Sequence, residues 1–208
     1  MSARFMQELL KEYLPNLSNR QLYMLNNYLF LMKKWNRVYN LTSITTAKAM
    51  VIRHALDSLS ISNHLQGRRV IDVGTGAGLP GIPLAICNPH MDFVLLDSNG
   101  KKERFLQQAR IELRLRNVEI IGSRVEEYKP TKPFDSVISR AFASLNDFLA
   151  YSKHLGCGNA TFLAMKGVYP LTELESIHKE FYLEKVEKLK VPDLNADRHI
   201  VCVKKRRF

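Results

Sequence analysis

Val70-Ile71-Asp72-Val73-Gly74-Thr75-Gly76-Ala77-Gly78-Leu79-Pro80-Gly81-Ile82-Pro83 decides the fold of this chain. The apolar run 70–73 breaks into alternating glycines, and a helix-like apolar pattern starts behind Pro80. That is how a buried strand feeds a tight turn which opens a helix N-terminus. Glycine suits such a turn because a side chain would block a ligand's approach or oppose a positive φ. Asp72 sits inside the apolar run, where a carboxylate is costly to bury unless donors or a cation meet it. It is expected to face the amino-acid end of a nucleoside cofactor, directly or through water.

Two cofactor classes compete for the loop. Counted from Gly76, Gly76-Ala77-Gly78-Leu79-Pro80-Gly81 spells the dinucleotide fingerprint, but that fingerprint should begin directly after the strand. The first residue after Val73 is Gly74, and from there the loop reads Asp-x-Gly-x-Gly-x-Gly. This resembles the first motif of class I methyltransferases that bind S-adenosylmethionine. About 20 residues further on, where a ribose-binding acid is expected, Asp97 ends a second apolar run. A carboxylate there serves either cofactor, so the glycine register discriminates and favours S-adenosylmethionine.

Outward from this centre, the pattern from Arg69 alternates strands (69–73, 92–97, 118–121, 134–139, 160–165) with helices. Such alternation predicts a doubly wound, Rossmann-like α/β sheet with ligands at the strands' C-terminal ends. Stretches 182–191 and 199–205 are strand-like around a turn-rich 192–197, which predicts an antiparallel pair. A mostly parallel, seven-stranded sheet with an antiparallel last strand resembles the class I methyltransferase fold, here assigned to residues 67–208. Residues 1–66 read as an N-terminal helical extension. A short amphipathic helix spans 3–14, and Ser18 with Gln21 forms a capping box. Leu22, Leu25, Leu29, Met32, Trp35 and Tyr39 then mark one face of a long helix. Thr45 or Thr46 caps a third helix expected to reach Leu65, ended by Gly67. In it Arg53, His54, Asp57 and Ser58 form a polar cluster: either a hydrogen-bonded set between helices or a surface near the substrate. One His and one Asp are too few ligands for a metal site.

The 208 residues carry a net charge of +11, which points to a polyanionic partner. Basic residues concentrate in 101–116 and in the tail 204–207. A nucleic acid is the expected partner, and charge alone would give it salt-sensitive affinity without choosing a sequence. No run approaches the ~18 apolar residues of a membrane span. The three cysteines, Cys87, Cys157 and Cys202, show no CxxC spacing, as expected of reduced thiols in a cytoplasmic protein.

Five ordered motifs make a closer resemblance. They are Trp35-Asn36 with Tyr39-Asn40-Leu41-Thr42, the hexad 53–58, the loop 72–83, Ser139-Arg140-Ala141-Phe142-Ala143, and Leu163-Ala164-Met165-Lys166-Gly167. Together they resemble the bacterial small-subunit rRNA guanine-N7 methyltransferases, the glucose-inhibited division protein B family. The resemblance implies methyl transfer from S-adenosylmethionine to N7 of a guanine in the 530 loop of 16S rRNA. It implies cofactor contacts from Gly74 and Leu79, from Val125 and Glu126, and from Arg140, beside Asp72, Gly76, Gly78 and Asp97. Asn99-Gly100 stands where that family usually has an apolar residue, and Met165 replaces a common leucine.

Guanine N7 carries a free lone pair, so no catalytic base is expected. None of the cysteines follows a proline, as a cytosine-C5 nucleophile would. Ser139-Arg140-Ala141-Phe142 replaces the Asn/Asp-Pro-Pro-aromatic turn of exocyclic-amine enzymes. Arg140 is the expected catalytic residue: it holds the cofactor carboxylate or donates to guanine O6, unless it merely pairs with Asp72. Phe142 either stacks on the base or packs in the core. Arg53, His54, Lys101, Lys102, Arg104 and Lys166 complete the candidate RNA contacts, and no metal is expected. The RNA partner is 16S rRNA within the small ribosomal subunit or an assembly intermediate. The alternative is a non-catalytic ribosome-assembly or RNA-binding factor that retains the nucleoside pocket.

Gly76→Val is expected to abolish S-adenosylmethionine binding by steric block, measured by titration calorimetry. Unchanged affinity would reject the assignment of the loop.

Overall fold

Strands buried on both faces are apolar nearly throughout, because helices cover a parallel sheet from either side. The computed structural model, which describes residues 3–206 except 141 and 143, contains five such strands. They are β1 (Arg69–Val73), β2 (Asp92–Leu96), β3 (Val118–Ile121), β4 (Phe134–Ser139) and β5 (Gly156–Lys166). β6 (Phe181–Lys188) and β7 (His199–Lys205) follow as a hairpin. The order across the sheet is β3-β2-β1-β4-β5-β7-β6, with β7 antiparallel to both its neighbours. The edge strand β6 is mostly exposed and carries Glu184, Lys185, Glu187 and Lys188. Charges of this kind discourage pairing with another chain.

Successive strand residues point to opposite faces, and the cores divide accordingly. Val70, Phe93, Leu95, Ile138 and Leu163 enter one apolar cluster, and Ile71, Val94, Leu96, Val137 and Phe162 the other. On the first face lie α1 (Ala3–Tyr13) and α2 (Asn19–Tyr39), then α3 (Ala47–Met50) and α4 (Asp57–Leu59). α5 (Gly81–Cys87) and α6 (Gly100–Glu112) share that face with them. α7 (Leu145–Ser152) packs on the other face, and α8 (Leu171–Glu175) follows β5. Leu10, Leu25 and Leu29 of the extension are buried in the same cluster as Ile82 and Leu106. The change at residue 67 is therefore one of secondary structure, with the extension and one face of the sheet sharing one apolar cluster.

The Ser18–Gln21 capping box opens α2: Gln21 N–H donates to Ser18 Oγ, and Ser18 N–H to Gln21 Oε1. Thr46, not Thr45, caps the third helix by accepting from Ala49 N–H. The helix then departs from the expected continuous run to Leu65. It widens into a π turn over Val51–Leu56, returns as α4, and ends in a 3-10 turn at Ser62–His64. No glycine or proline lies between 47 and 64 to announce this. Residues 54–58 are all buried, so packing from several sides overrides the local helical preference. β5 begins four residues earlier than expected because Gly156 pairs with Phe134.

Tyr28 is fully buried in α2 and donates its hydroxyl to the Ala77 carbonyl at 2.6 Å. It ties the extension to the glycine loop. Burial pushes the phenol's pKa well up, so the hydroxyl remains a donor. Tyr28→Phe leaves that carbonyl without its partner and is expected to cost about 1–3 kcal/mol, read from urea unfolding. An unchanged midpoint would mean that the bond contributes nothing net.

Candidate active site

The glycine loop grows directly from the sheet. Gly74 N–H and Thr75 N–H both donate to the Leu96 carbonyl, at 2.8 and 3.1 Å, where β1 and β2 end. Gly74 and Gly76 have φ of +68° and +63°. A Cβ on Gly74 would meet nothing within 4 Å, and one on Gly76 only Lys102 Nζ at 3.9 Å. Both therefore present bare backbone to open space. Gly78 serves packing instead, because its Cβ would lie 2.7 Å from Ile82.

Asp72 is fully buried beneath this loop. One oxygen, Oδ2, accepts from Thr75 Oγ1 at 2.6 Å and from Gly81 N–H at 2.9 Å. Burial raises its pKa to about 6, and those two donors, with the field of Arg140, oppose the rise. Its other oxygen has no partner among the described residues.

Asp97, immediately after β2, accepts from Gly76 N–H at 2.8 Å and from Asn99 N–H at 2.9 Å. Lys102 Nζ approaches the same carboxylate at 3.4 Å. The departure noted at Asn99 has a structural use, since its side chain caps α6 by accepting from Lys101 N–H and Lys102 N–H. Val73, Gly74, Asp97, Val125, Glu126 and Phe142 line a cavity of about 230 Å³, closed further by Ser98 and Tyr151. The sequence reading missed Ser98, Ser123, Arg124 and Tyr151 in this lining; Tyr151 comes from α7, whose place over the cleft has no local signal. Leu79 turns its side chain into the core, and its N–H is taken by the Thr75 carbonyl.

A second cavity of about 490 Å³ lies beyond the end of β4, between the π turn, the end of β5 and the start of β7. Arg53, His54, Asp57, Arg140, Lys166 and Arg198 are among its walls. Its centre is Asp57, which is only 2% exposed. Asp57 Oδ2 accepts from Arg140 Nη1 at 3.3 Å, and Oδ1 from Arg198 Nε at 2.8 Å. A buried carboxylate needs such partners. The expected alternative pairing of Arg140 with Asp72 is corrected: the carboxylate it contacts is Asp57. Arg140 Nη1 also donates to the Arg53 carbonyl at 3.3 Å. Its charge also acts on Tyr28, His54 and Asp72. Ser139 Oγ donates to the Val73 carbonyl at 2.8 Å, joining the ends of β4 and β1.

Arg198 was not among the sequence candidates, because only β7 pairing beside β5 carries it here. His54, expected at an RNA surface, is buried, with Nε2 3.0 Å from Thr42 Oγ1. Burial, aided by Arg140, lowers its pKa to about 4. Lys166 reaches Glu173 at 2.8 Å from the cavity wall. Phe142 is placed with the first cavity, against Phe148 and Tyr151 at 5.6 and 6.5 Å between centroids, away from Arg53 and Lys166. Lys101 and Arg104 are exposed on α6 beside the first cleft.

A sequence model of the GidB family, described as rRNA small subunit methyltransferase G, matches residues 21–201. The chain is 52% identical over 191 residues to the ribosomal RNA small subunit methyltransferase G of Nitrosococcus oceani, spanning 92% of this chain and 89% of that one. It is 48% identical over 196 residues to the protein of the same name from Escherichia coli O1:K1 / APEC, spanning 94% and 95%. Among solved structures, TrmN from Thermus thermophilus aligns with a TM-score of 0.58 at 16% identity, over 73% of this chain and 48% of that one. TYW2 from M. jannaschii, solved in complex with AdoMet, aligns at 0.57 and 15% identity, over 72% and 75%. At these identities the structural likeness establishes the fold alone, a class I methyltransferase sheet.

A His54 imidazole that titrates near 4 rather than 6.5 contributes stability above pH 6.5, and this is lost as the pH falls toward 4. Asp72 acts in the opposite sense, since a carboxyl with its pKa raised to about 6 favours the folded state as the pH drops through 6. The difference in unfolding free energy between wild type and His54→Gln isolates the histidine. It should shrink between pH 6.5 and 4, and the His54 ring signals in NMR should hold their neutral shifts above pH 5. Protonation near 6.5 would contradict the buried, neutral imidazole.

Proposed function

Since the chain belongs to the GidB family, rRNA small subunit methyltransferase G, we propose that it methylates N7 of a guanine in the 530 loop of 16S rRNA, using S-adenosylmethionine. The observation that carries this reading is a pair of cavities at the C-terminal ends of the strands, one where β1 and β2 end and the other where β4 and β5 end. One is lined by Gly74, Asp97 and Arg124 among others, the other by Arg53, Arg140, Lys166 and Arg198 around the buried Asp57. The first fits a nucleoside: Gly74 and Gly76 leave room for close approach, and Asp97 is oriented toward it by Gly76 and Asn99. The second fits a nucleotide of an anionic strand.

When bound, S-adenosylmethionine would supply a methyl group whose bond to sulfur breaks as the bond to guanine N7 forms, S-adenosylhomocysteine leaving neutral at sulfur and the positive charge passing to the base. The chain's own residues hold and orient. Asp97, which Lys102 Nζ approaches at 3.4 Å, would accept from the ribose hydroxyls. Val125 and Phe142 offer apolar walls to the adenine. Arg140 donates to guanine O6 or to the cofactor carboxylate, and Asp57 fixes its guanidinium from below. No proton is removed from N7, and none of these roles requires a base. Rate enhancement then comes from alignment, which contributes roughly 7–11 kcal/mol in favourable cases. The natural substrate is the small subunit or an assembly intermediate, met in the cytoplasm.

Transfer of labelled methyl from S-adenosylmethionine to unmethylated small subunits and to naked 16S rRNA, mapped by cleavage at N7-methylguanine, tests the reading. Label at one guanine of the 530 loop is the expected result. Cofactor binding without label would leave the fold and remove the substrate. Arg140→Ala should lower kcat/KM by about 100-fold or more. Its Tm should fall by no more than about 4 °C, because Arg198 still pairs with Asp57. Parallel losses of melting temperature and activity would make Arg140 structural.

A further inference from the structure

Beyond Lys166, the chain leaves the sheet through Gly167-Val168-Tyr169-Pro170-Leu171 before α8. Three large apolar side chains in these five residues face solvent: Val168 at 81%, Tyr169 at 49% and Leu171 at 60% exposed. Grouped exposure of this kind marks an interaction site more often than scattered surface residues do. The backbone beneath them is fixed. His199 Nδ1–H donates to the Gly167 carbonyl at 3.3 Å, Leu171 N–H to Tyr169 O at 3.1 Å, and Leu174 N–H to Pro170 O at 3.0 Å. Lys166 pins α8 through Glu173 at 2.8 Å. The Tyr169 ring meets the buried His199 ring edge to face, 5.5 Å between centroids at 89°. It is thereby held in place without being covered.

This loop stands on the rim of the second cavity. Lys166 and Gly167 are part of the wall, and Arg198 Nη1 lies 3.8 Å from where a Cβ on Gly167 would be. Arg53, Arg140, Lys166 and Arg198 give the cavity four cations. An exposed aromatic ring beside clustered cations matches a single-stranded nucleic acid, whose phosphates meet the charges while a base meets the ring. Phe142, the aromatic residue expected to stack, sits in the other cavity and leaves this place to Tyr169.

We propose that loop 167–171 is a nucleobase platform on which the Tyr169 ring stacks a base of the rRNA strand next to the target guanine. This rests on the rRNA reading above and adds a binding residue to it. A ring held in place before binding loses little freedom on stacking, and stacking tolerates any base.

Tyr169→Ala should raise KM for unmethylated small subunits by about 5- to 100-fold, with kcat and S-adenosylmethionine affinity within about twofold of wild type. Tyr169→Phe, which keeps the ring, should resemble wild type. Unchanged KM in Tyr169→Ala overturns the proposal, as does an equal loss in Tyr169→Phe. A benzophenone side chain at this position (Tyr169→p-benzoylphenylalanine), irradiated with small subunits, should attach to a nucleotide of the 530 loop. Attachment to a ribosomal protein, or none, overturns the proposal in favour of a protein contact or no contact. If wild type transfers no methyl, the functional reading fails on its own, while the cross-link still decides whether Tyr169 lies on RNA.

Discussion

A single buried carboxylate oxygen holds the centre of this protein. Asp72 Oδ2 accepts from Thr75 Oγ1 at the start of the glycine loop and from Gly81 N–H at the start of α5. It closes the loop across its whole length and sets the direction in which α5 leaves. A carboxylate so placed loses its hydration, which is why its pKa climbs to about 6. The two donors and the field of Arg140 offset part of that cost. Asp97 holds Gly76 from one side and Tyr28 holds Ala77 from another. A loop of small residues, with few side chains of its own to pack, is thereby kept in one conformation.

The helical extension is part of the same device. It supplies Tyr28 to the loop, Arg53 and His54 to the second cavity through its π turn, and Asp57 through the start of α4. The sheet alone would offer Arg140, Lys166 and Arg198 with no buried acid among them to fix the two arginines. Asp57 orients both guanidiniums and still leaves the cavity with more positive than negative side chains. A substrate with many phosphates is drawn to such a wall, while binding specificity requires contacts of another kind. The Tyr169 rim is one place where such contacts arise.

Much of this was legible in residue order. Alternation of apolar runs located all five parallel strands and the hairpin behind them, because periodicity and turn residues act locally. Positive φ and close approach can be met together only by glycine, so Gly74 and Gly76 announced a cleft. Asp97 was legible from its distance down the chain, since the βα unit has a characteristic length. The capping box at Ser18 was legible because both of its partners lie within one turn.

What stayed hidden depends on elements remote in sequence. Arg198 reaches Asp57 across 141 residues, a contact made only when β7 inserts between β5 and β6. Arg140 found Asp57 rather than Asp72 because Asp72 is enclosed by its own loop while Asp57 is delivered at the start of α4, directly after the π turn. That turn carries no breaker residue and follows from burial on several sides. His54 and Phe142 kept their chemistry but changed their places, one buried beneath its cavity and the other beside the neighbouring one. The sequence by itself determined the sheet, the glycine loop and the chemical character of the cleft, which arise from neighbours along the chain. Which charges meet, and which ring faces the substrate, was decided by tertiary structure, because those contacts require strands and helices from opposite ends of the chain to pack first.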